Sequence, residues 1–94
     1  MAKLTPSQIE TRLKPLSEWT LFGDSIQRTY DLEDFVKAMA FVQRVADHAE
    51  KVEHHPDILI RWNKVTLTLS THDAKGLTVK DFDSAKAYDA LFGG

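Results

Sequence analysis

Two adjacent imidazoles, His54 and His55, stand directly before Pro56 and shortly after Glu50, in the stretch Glu-Lys-Val-Glu-His-His-Pro-Asp. Histidine has an ordinary pKa of about 6.5, so it can both give and take a proton near neutrality. A pair held at a rigid corner is therefore a candidate acid/base site. Pro56 supplies the corner, because it drives the backbone of the residue before it out of helical space toward an extended conformation. A third imidazole, His72, lies far along the chain, flanked by Ser70, Thr71 and Asp73. Glu50 precedes His54 by one helical turn, a spacing that lets the carboxylate share a face with that ring. An ordinary exposed helix pair, with Lys51 and Glu53 as neighbours, fits the same spacing.

Three imidazoles also raise the question of a metal, since histidine is a common zinc ligand and a three-histidine site with an open position is a known catalytic arrangement. Adjacent residues project in different directions, however, and His54-His55 lacks the i, i+4 spacing that sets two ligands on one helix face. No metal is expected. A purely structural role, finishing backbone hydrogen bonds at strand ends, is the other alternative. Asp81 stands three residues after Thr78, where helix capping alone explains it. His48 falls inside a helical pattern and receives no role.

The elements that must position these groups follow from local signals. Thr5-Pro6-Ser7-Gln8 opens a short helix with Thr5 as N-cap and Gln8 closing a capping box, and Pro15 ends it. Trp19 to Phe22 and Ser25 to Tyr30 form a hairpin across Gly23-Asp24. Asp31 is expected to cap a long helix that carries Phe35, Met39, Val42, Val45, Ala46 and Ala49 on its apolar side and runs to about Val52. Ile58, Ile60 and Trp62 then alternate with other residues, as do Val65, Leu67 and Leu69, which gives two more strands. With Asn63-Lys64 as the turn, Trp62 faces Val65, Ile60 faces Leu67 and Ile58 faces Leu69. Continued outward, that register places His55 opposite His72 and brings the third imidazole to the corner.

After a loop from Asp73 to Gly76, Thr78 starts a last helix with Phe82, Ala85, Tyr88 and Phe92 on its apolar side. Trp19 and Trp62 fit a core better than a ligand platform. The order α-β-β-α-β-β-α predicts an α+β, two-layer sandwich, a four-stranded and mainly antiparallel sheet with helices on one face.

Length and composition bound the functions. A chain of 94 residues is read as a single domain, residues 1–94, and its 43% hydrophobic and 28% charged residues are globular rather than disordered. The net charge of −2 is interspersed, without the basic footprint that nucleic acid requires, so no direct DNA or RNA binding is expected. There is no cysteine, hence no disulfide and no thiolate chemistry. The longest apolar run, Ala38 to Val42, cannot span a bilayer, and the start lacks the apolar region of a signal peptide. A soluble, cytoplasmic protein is expected.

Glu50, His54-His55-Pro56, Trp62, His72 and Asp81, at these spacings, resemble the signature of the pterin-4a-carbinolamine dehydratases. The resemblance covers most of the chain. It implies a small α+β enzyme that removes water from a 4a-hydroxytetrahydropterin to give a quinonoid dihydropterin, in recycling of a tetrahydrobiopterin-type cofactor. It also implies catalytic and substrate-holding roles for His54, His55 and His72, with Glu50 and Asp81 as supporting carboxylates. Substrate contacts in the family fall on the segments matching Glu53-His54-His55 and Ser70-Thr71-His72-Asp73. Glu53 departs from the smaller polar residue the family carries before the histidine pair. The pterin is the substrate, and no cofactor is implied. Family members are homo-oligomers, which implies a homodimer or homotetramer here. Animal members also serve as dimerisation cofactors for a homeodomain transcription factor, and some relatives resemble assembly chaperones, so a non-catalytic interaction protein is the alternative.

Overall fold

The computed structural model describes residues 2–93. Thr5 caps α1, Pro6–Leu13, through the expected reciprocal pair: its hydroxyl accepts from the Gln8 N–H at 3.2 Å, and the Gln8 side chain accepts from the Thr5 N–H at 2.9 Å. The first hairpin is β1, Thr20–Phe22, and β2, Ser25–Asp31, turned at Gly23 with φ 62°. Glycine has no Cβ to clash in that left-handed conformation. The long helix α2 spans Phe35–Val52. Its N-cap is Asp34, whose carboxylate accepts from the Lys37 N–H at 2.8 Å, rather than the expected Asp31. Asp31 instead ends β2 and accepts from Lys64 at 2.7 Å across the sheet.

β3, Asp57–Arg61, and β4, Lys64–Leu69, form the second hairpin, a 3-10 turn follows at His72–Ala74, and α3, Val79–Gly93, closes the chain. All strand pairs are antiparallel in the order β1-β2-β4-β3, so the two long hairpin partners are central and β1 and β3 are edges. Pro56 sits just before an edge strand, where its missing donor costs the ladder nothing.

The register of the second hairpin corrects the sequence reading. Ile60 pairs with Val65, Ile58 with Leu67 and Arg61 with Lys64, a shift of two residues from the expected partners. The turn is Trp62-Asn63, with Trp62 in the left-handed region at φ 54° and its indole 65% exposed. Trp62 is therefore a turn residue outside the core, unlike Trp19, which is buried. A shift of two preserves which face each side chain points to, so the apolar alternation survives it.

Ile26, Tyr30, Val65, Leu67 and Leu69 join Phe41, Val45, Phe82, Ala85 and Tyr88 in one core between the sheet and the helices. Fully burying each aliphatic side chain of this kind contributes about 1.5–3 kcal/mol relative to exposure. The buried stripe of α2 is Ala38, Phe41, Val45 and Ala49, while Phe35 and Met39, expected inside, are exposed. On the far face of the sheet the Thr29 and Thr66 hydroxyls lie 2.7 Å apart, with the exposed Leu59 beside them on the edge strand. No helix among the described residues is long and apolar enough to cross a membrane.

Candidate functional site

The end of α2 sets the directions of the two adjacent imidazoles. Glu53 caps the helix in the left-handed region, φ 54° and ψ 43°, and the N–H groups of Glu53 and His54 both donate to the Ala49 carbonyl. The reversal ends the helix, and Pro56 keeps the following backbone extended. In extended backbone, neighbouring side chains alternate in direction. His54 accordingly turns inward, with a side chain only 11% exposed, and His55 turns outward, 60% exposed.

Each ring meets a carboxylate, though not in the expected pairing. His54 Nε2 lies 2.6 Å from Oδ1 of Asp81, which is fully buried on the first turn of α3. Glu50, expected beside His54, instead meets His55, with Oε2 2.5 Å from Nε2. The exposed Glu50–His55 pair is screened by water and holds its ring only weakly. The buried pair is a tighter constraint, because each polar group withdrawn from water must keep its partner.

Asp81 does more than cap. Its second oxygen, Oδ2, accepts from the Thr78 backbone N–H at 2.9 Å and from the Thr71 hydroxyl at 2.8 Å. The Thr71 and Thr78 hydroxyls are themselves 2.7 Å apart. One carboxylate thus joins the His54 corner, the start of α3 and the segment carrying His72. The capping spacing of Thr78 and Asp81 was visible in the sequence, and in the observed cap the Thr78 N–H donates to the Asp81 carboxylate while the Asp81 N–H donates to the Thr78 carbonyl at 3.1 Å rather than to the Thr78 hydroxyl.

His72 follows Thr71 and begins the 3-10 turn, which is closed by Thr71–Gly76 backbone pairing. Its side chain is exposed, as is Asp73, while Ser70 is half-buried. With Asp24, Ser70, Thr71, Lys75 and Gly76 it lines a hollow of about 250 Å³. His54 lines a different hollow of about 190 Å³, with His48, Val52, Lys80, Asp83 and Ser84. The two hollows are joined by the Thr71–Asp81–His54 chain of hydrogen bonds rather than by contact between rings. The observed register, continued past β3, points His55 at Ser70 rather than at His72. His48, to which the sequence assigns no role, meets the edge of Tyr88 with ring centroids 5.7 Å apart.

The Tyr88 hydroxyl is buried without a hydrogen-bond partner. Burial pushes it up to about 12, and the nearby Ser84 side chain, which falls short of a hydrogen bond, offsets this only in part. Among the described residues no three His, Asp or Glu side chains are disposed to hold a metal ion.

The family model described as "Pterin 4 alpha carbinolamine dehydratase" matches residues 2–91. The chain belongs to the pterin 4 alpha carbinolamine dehydratase family. Among its relatives in that family, an Acidobacterium capsulatum protein named "Putative pterin-4-alpha-carbinolamine dehydratase" is 55% identical over 91 residues, covering 97% of this chain and 99% of its own. A Roseiflexus castenholzii protein of the same name is 54% identical over 90 residues, covering 96% and 97%. The crystal structure of a "transcriptional coactivator/pterin dehydratase" from Brucella melitensis superposes with a TM-score of 0.93 at 33% identity, over 97% of this chain and 99% of that one. A pterin dehydratase-like protein identified as a RuBisCO assembly factor in the alpha-carboxysome shares the fold, with a TM-score of 0.67 at 19% identity over 81% and 88% of the two chains.

Proposed function

We propose that this chain removes water from a 4a-hydroxytetrahydropterin, giving a quinonoid dihydropterin, in recycling of a tetrahydrobiopterin-type cofactor. Family membership supports the substrate class, and the observation that carries the chemistry is the inward-turned His54 on buried Asp81. The hydroxyl leaves from a carbon beside a ring nitrogen. Its departure needs a proton delivered to the oxygen while the nitrogen side gives one up. A neutral imidazole takes one proton and an imidazolium supplies the other, each such positioned group contributing about 10² to 10⁴ in rate.

In this reading His54 and His72 exchange protons with the substrate, and His55, steadied by Glu50, holds the ring. Glu53, Ser70, Thr71 and Asp73 border the substrate through their backbone or side chains, and Asp81 supports His54. The pterin is the substrate, and neither a metal nor another cofactor takes part. The protein acts in the cytoplasm as a homodimer or homotetramer. The test is the dehydration rate with freshly generated carbinolamine, run beside a variant in which all three histidines are alanine. Turnover by the natural chain that vanishes in the variant supports the reading, and equal rates in both sink it.

A second reading is a non-catalytic interaction protein on the same fold. The coactivator description of the Brucella structure favours it, as does the exposed apolar surface at Phe35, Val36 and Met39 on α2. A stoichiometric protein partner recovered with a chain that binds no pterin would decide for it.

A further inference from the structure

We propose that Thr71 and Thr78 are positioning residues that aim Asp81 so that His54 carries its proton on Nε2 and keeps Nδ1 as its free acceptor. This deepens the dehydratase reading and rests on it for its catalytic consequence, though not for its geometry.

With Asp81 as the carboxylate, the direction of every proton in the chain follows from the partners. Oδ2 of Asp81 accepts from the Thr78 N–H and from the Thr71 hydroxyl, so no proton sits on that oxygen. A hydroxyl has one proton to donate. Thr71 spends its proton on Asp81, so in the 2.7 Å contact between the two hydroxyls Thr78 must be the donor and Thr71 the acceptor. The remaining oxygen, Oδ1, faces His54 Nε2 at 2.6 Å. An ionised carboxylate only accepts, so Nε2 bears the hydrogen and Nδ1 is left with its lone pair in the neutral ring. Among the described residues no side chain or backbone group is hydrogen-bonded to Nδ1. A carboxylate held this way fixes tautomer and ring orientation together, as partners of reactive histidines do elsewhere.

The same geometry removes the Thr71 hydroxyl from direct contact with substrate. Thr71 is 9% exposed, Thr78 and Asp81 are fully buried, and the hydroxyl already has two partners. What Thr71 offers a ligand is its backbone, at the rim of the His72 hollow. The charged and titratable groups around the His54 ring are His48 from α2 and Lys80, Asp81 and Asp83 from α3. Of these Asp81 alone is hydrogen-bonded to it.

The test needs no pterin in its first arm. Histidine-selective ¹⁵N labelling and long-range ¹H–¹⁵N correlation, with the ring neutral, report which nitrogen of His54 holds the proton. The expected result is a single tautomer in the natural chain, with Nε2 protonated and Nδ1 bare, the same pattern in T71S, and a mixture of tautomers in T71V. A proton on Nδ1 in the natural chain, or a T71V spectrum identical to it, overturns the proposal. If T71V does not fold, T78V, which strips only the outer hydroxyl, is read in its place and by the same criterion.

The second arm is kinetic. T71V is expected to lower kcat about tenfold while KM stays within about twofold, with T71S restoring kcat, because an interaction lost from the positioning of a reacting group lowers kcat rather than raising KM. A rise in KM at unchanged kcat would make Thr71 a substrate contact and overturn the positioning role. A natural chain that shows the expected tautomer but dehydrates no carbinolamine sinks the functional reading alone.

Discussion

At the scale of single residues, neighbours in sequence do opposite things. His54 and His55 share a corner, yet one turns inward onto buried Asp81 and the other lies outside on Glu50. Replacing each with alanine separates these environments. H54A is expected to lower turnover by about 10² or more and to leave Asp81 buried without its imidazole, so it also loses about 1–3 kcal/mol of stability. H55A should lower turnover while changing stability by less than about 1 kcal/mol, since its ion pair is exposed. Carbinolamine turnover beside urea denaturation of both variants checks the contrast, and equal destabilisation would refute it. Tyr88 makes a pH prediction of known sign. Its hydroxyl is raised in the folded protein to about 12 from an ordinary 10.0, chiefly by burial. The folded state therefore holds this proton more tightly than the unfolded one, and the associated stability is complete below about pH 10 and lost as pH rises toward about 12. Y88F has no such proton and no orphaned hydroxyl, so its urea midpoint should equal or exceed that of the natural chain at neutral pH and fall less between pH 10 and 12. Burial also raises Tyr30, so part of the alkaline loss should remain.

At the scale of elements, the sequence carried types and order well and partners less well. The Thr5 capping box, the termination of α2 near Val52 and the alternation of Val65, Leu67 and Leu69 were all legible, because each is set by residues within one turn or one strand of each other. The register of the second hairpin was not. Trp62 reads as an inward strand residue by alternation, and alternation cannot distinguish a ladder from the same ladder displaced by two. Only the left-handed backbone at Trp62 settles it, and a bulky residue in that region is atypical. The pairing of His54 with Asp81 was equally out of reach, since it depends on how α3 docks against the end of α2. Glu53 stands at that end in a left-handed conformation suited to glycine. Such a conformation costs a residue with a Cβ about 1–2 kcal/mol, against about 0.5–1 kcal/mol of extra chain entropy lost when glycine is fixed. The difference favours glycine, so E53G is expected to gain roughly 0.5–1 kcal/mol and to raise Tm by a few degrees. Thermal unfolding by circular dichroism checks this. A lower Tm would mean that the Glu53 side chain contributes more than its backbone conformation costs.

At the scale of the whole molecule, one carboxylate outside the candidate site ties the layers together. Oδ1 of Asp89, on α3, accepts from the Trp19 indole at 3.0 Å, from Arg28 at 2.8 Å and from the Tyr30 hydroxyl at 2.5 Å. Arg28 also lies over the Tyr30 ring, 4.3 Å from its centroid, and Tyr30 packs on Phe41 and Phe92 with centroids 4.7 and 4.9 Å away. The approach to β1, the central strand β2, α2 and α3 therefore meet at a charged group inside an otherwise apolar layer. The Arg28 and Asp89 side chains are 16% and 26% exposed, so water screens the pair in part and its Coulomb energy is less than that of a fully buried bridge. The donors it satisfies are the larger consideration. D89A would leave the indole, the phenol and the guanidinium without their acceptor, and an unsatisfied buried donor costs about 1–3 kcal/mol. Two or three such groups, partly rescued by solvent, make a loss of about 3 kcal/mol the expected outcome. Against a total stability of about 5–15 kcal/mol, that leaves the fold intact at room temperature but markedly less resistant to urea. D89N keeps the shape and one acceptor oxygen but not the charge, so it should lose less than D89A, with its own loss relative to the natural chain reporting the ionic part. Urea midpoints of the two variants measure that split. A D89A midpoint within error of the natural chain would mean that the apolar packing of Tyr30 holds these layers without the carboxylate.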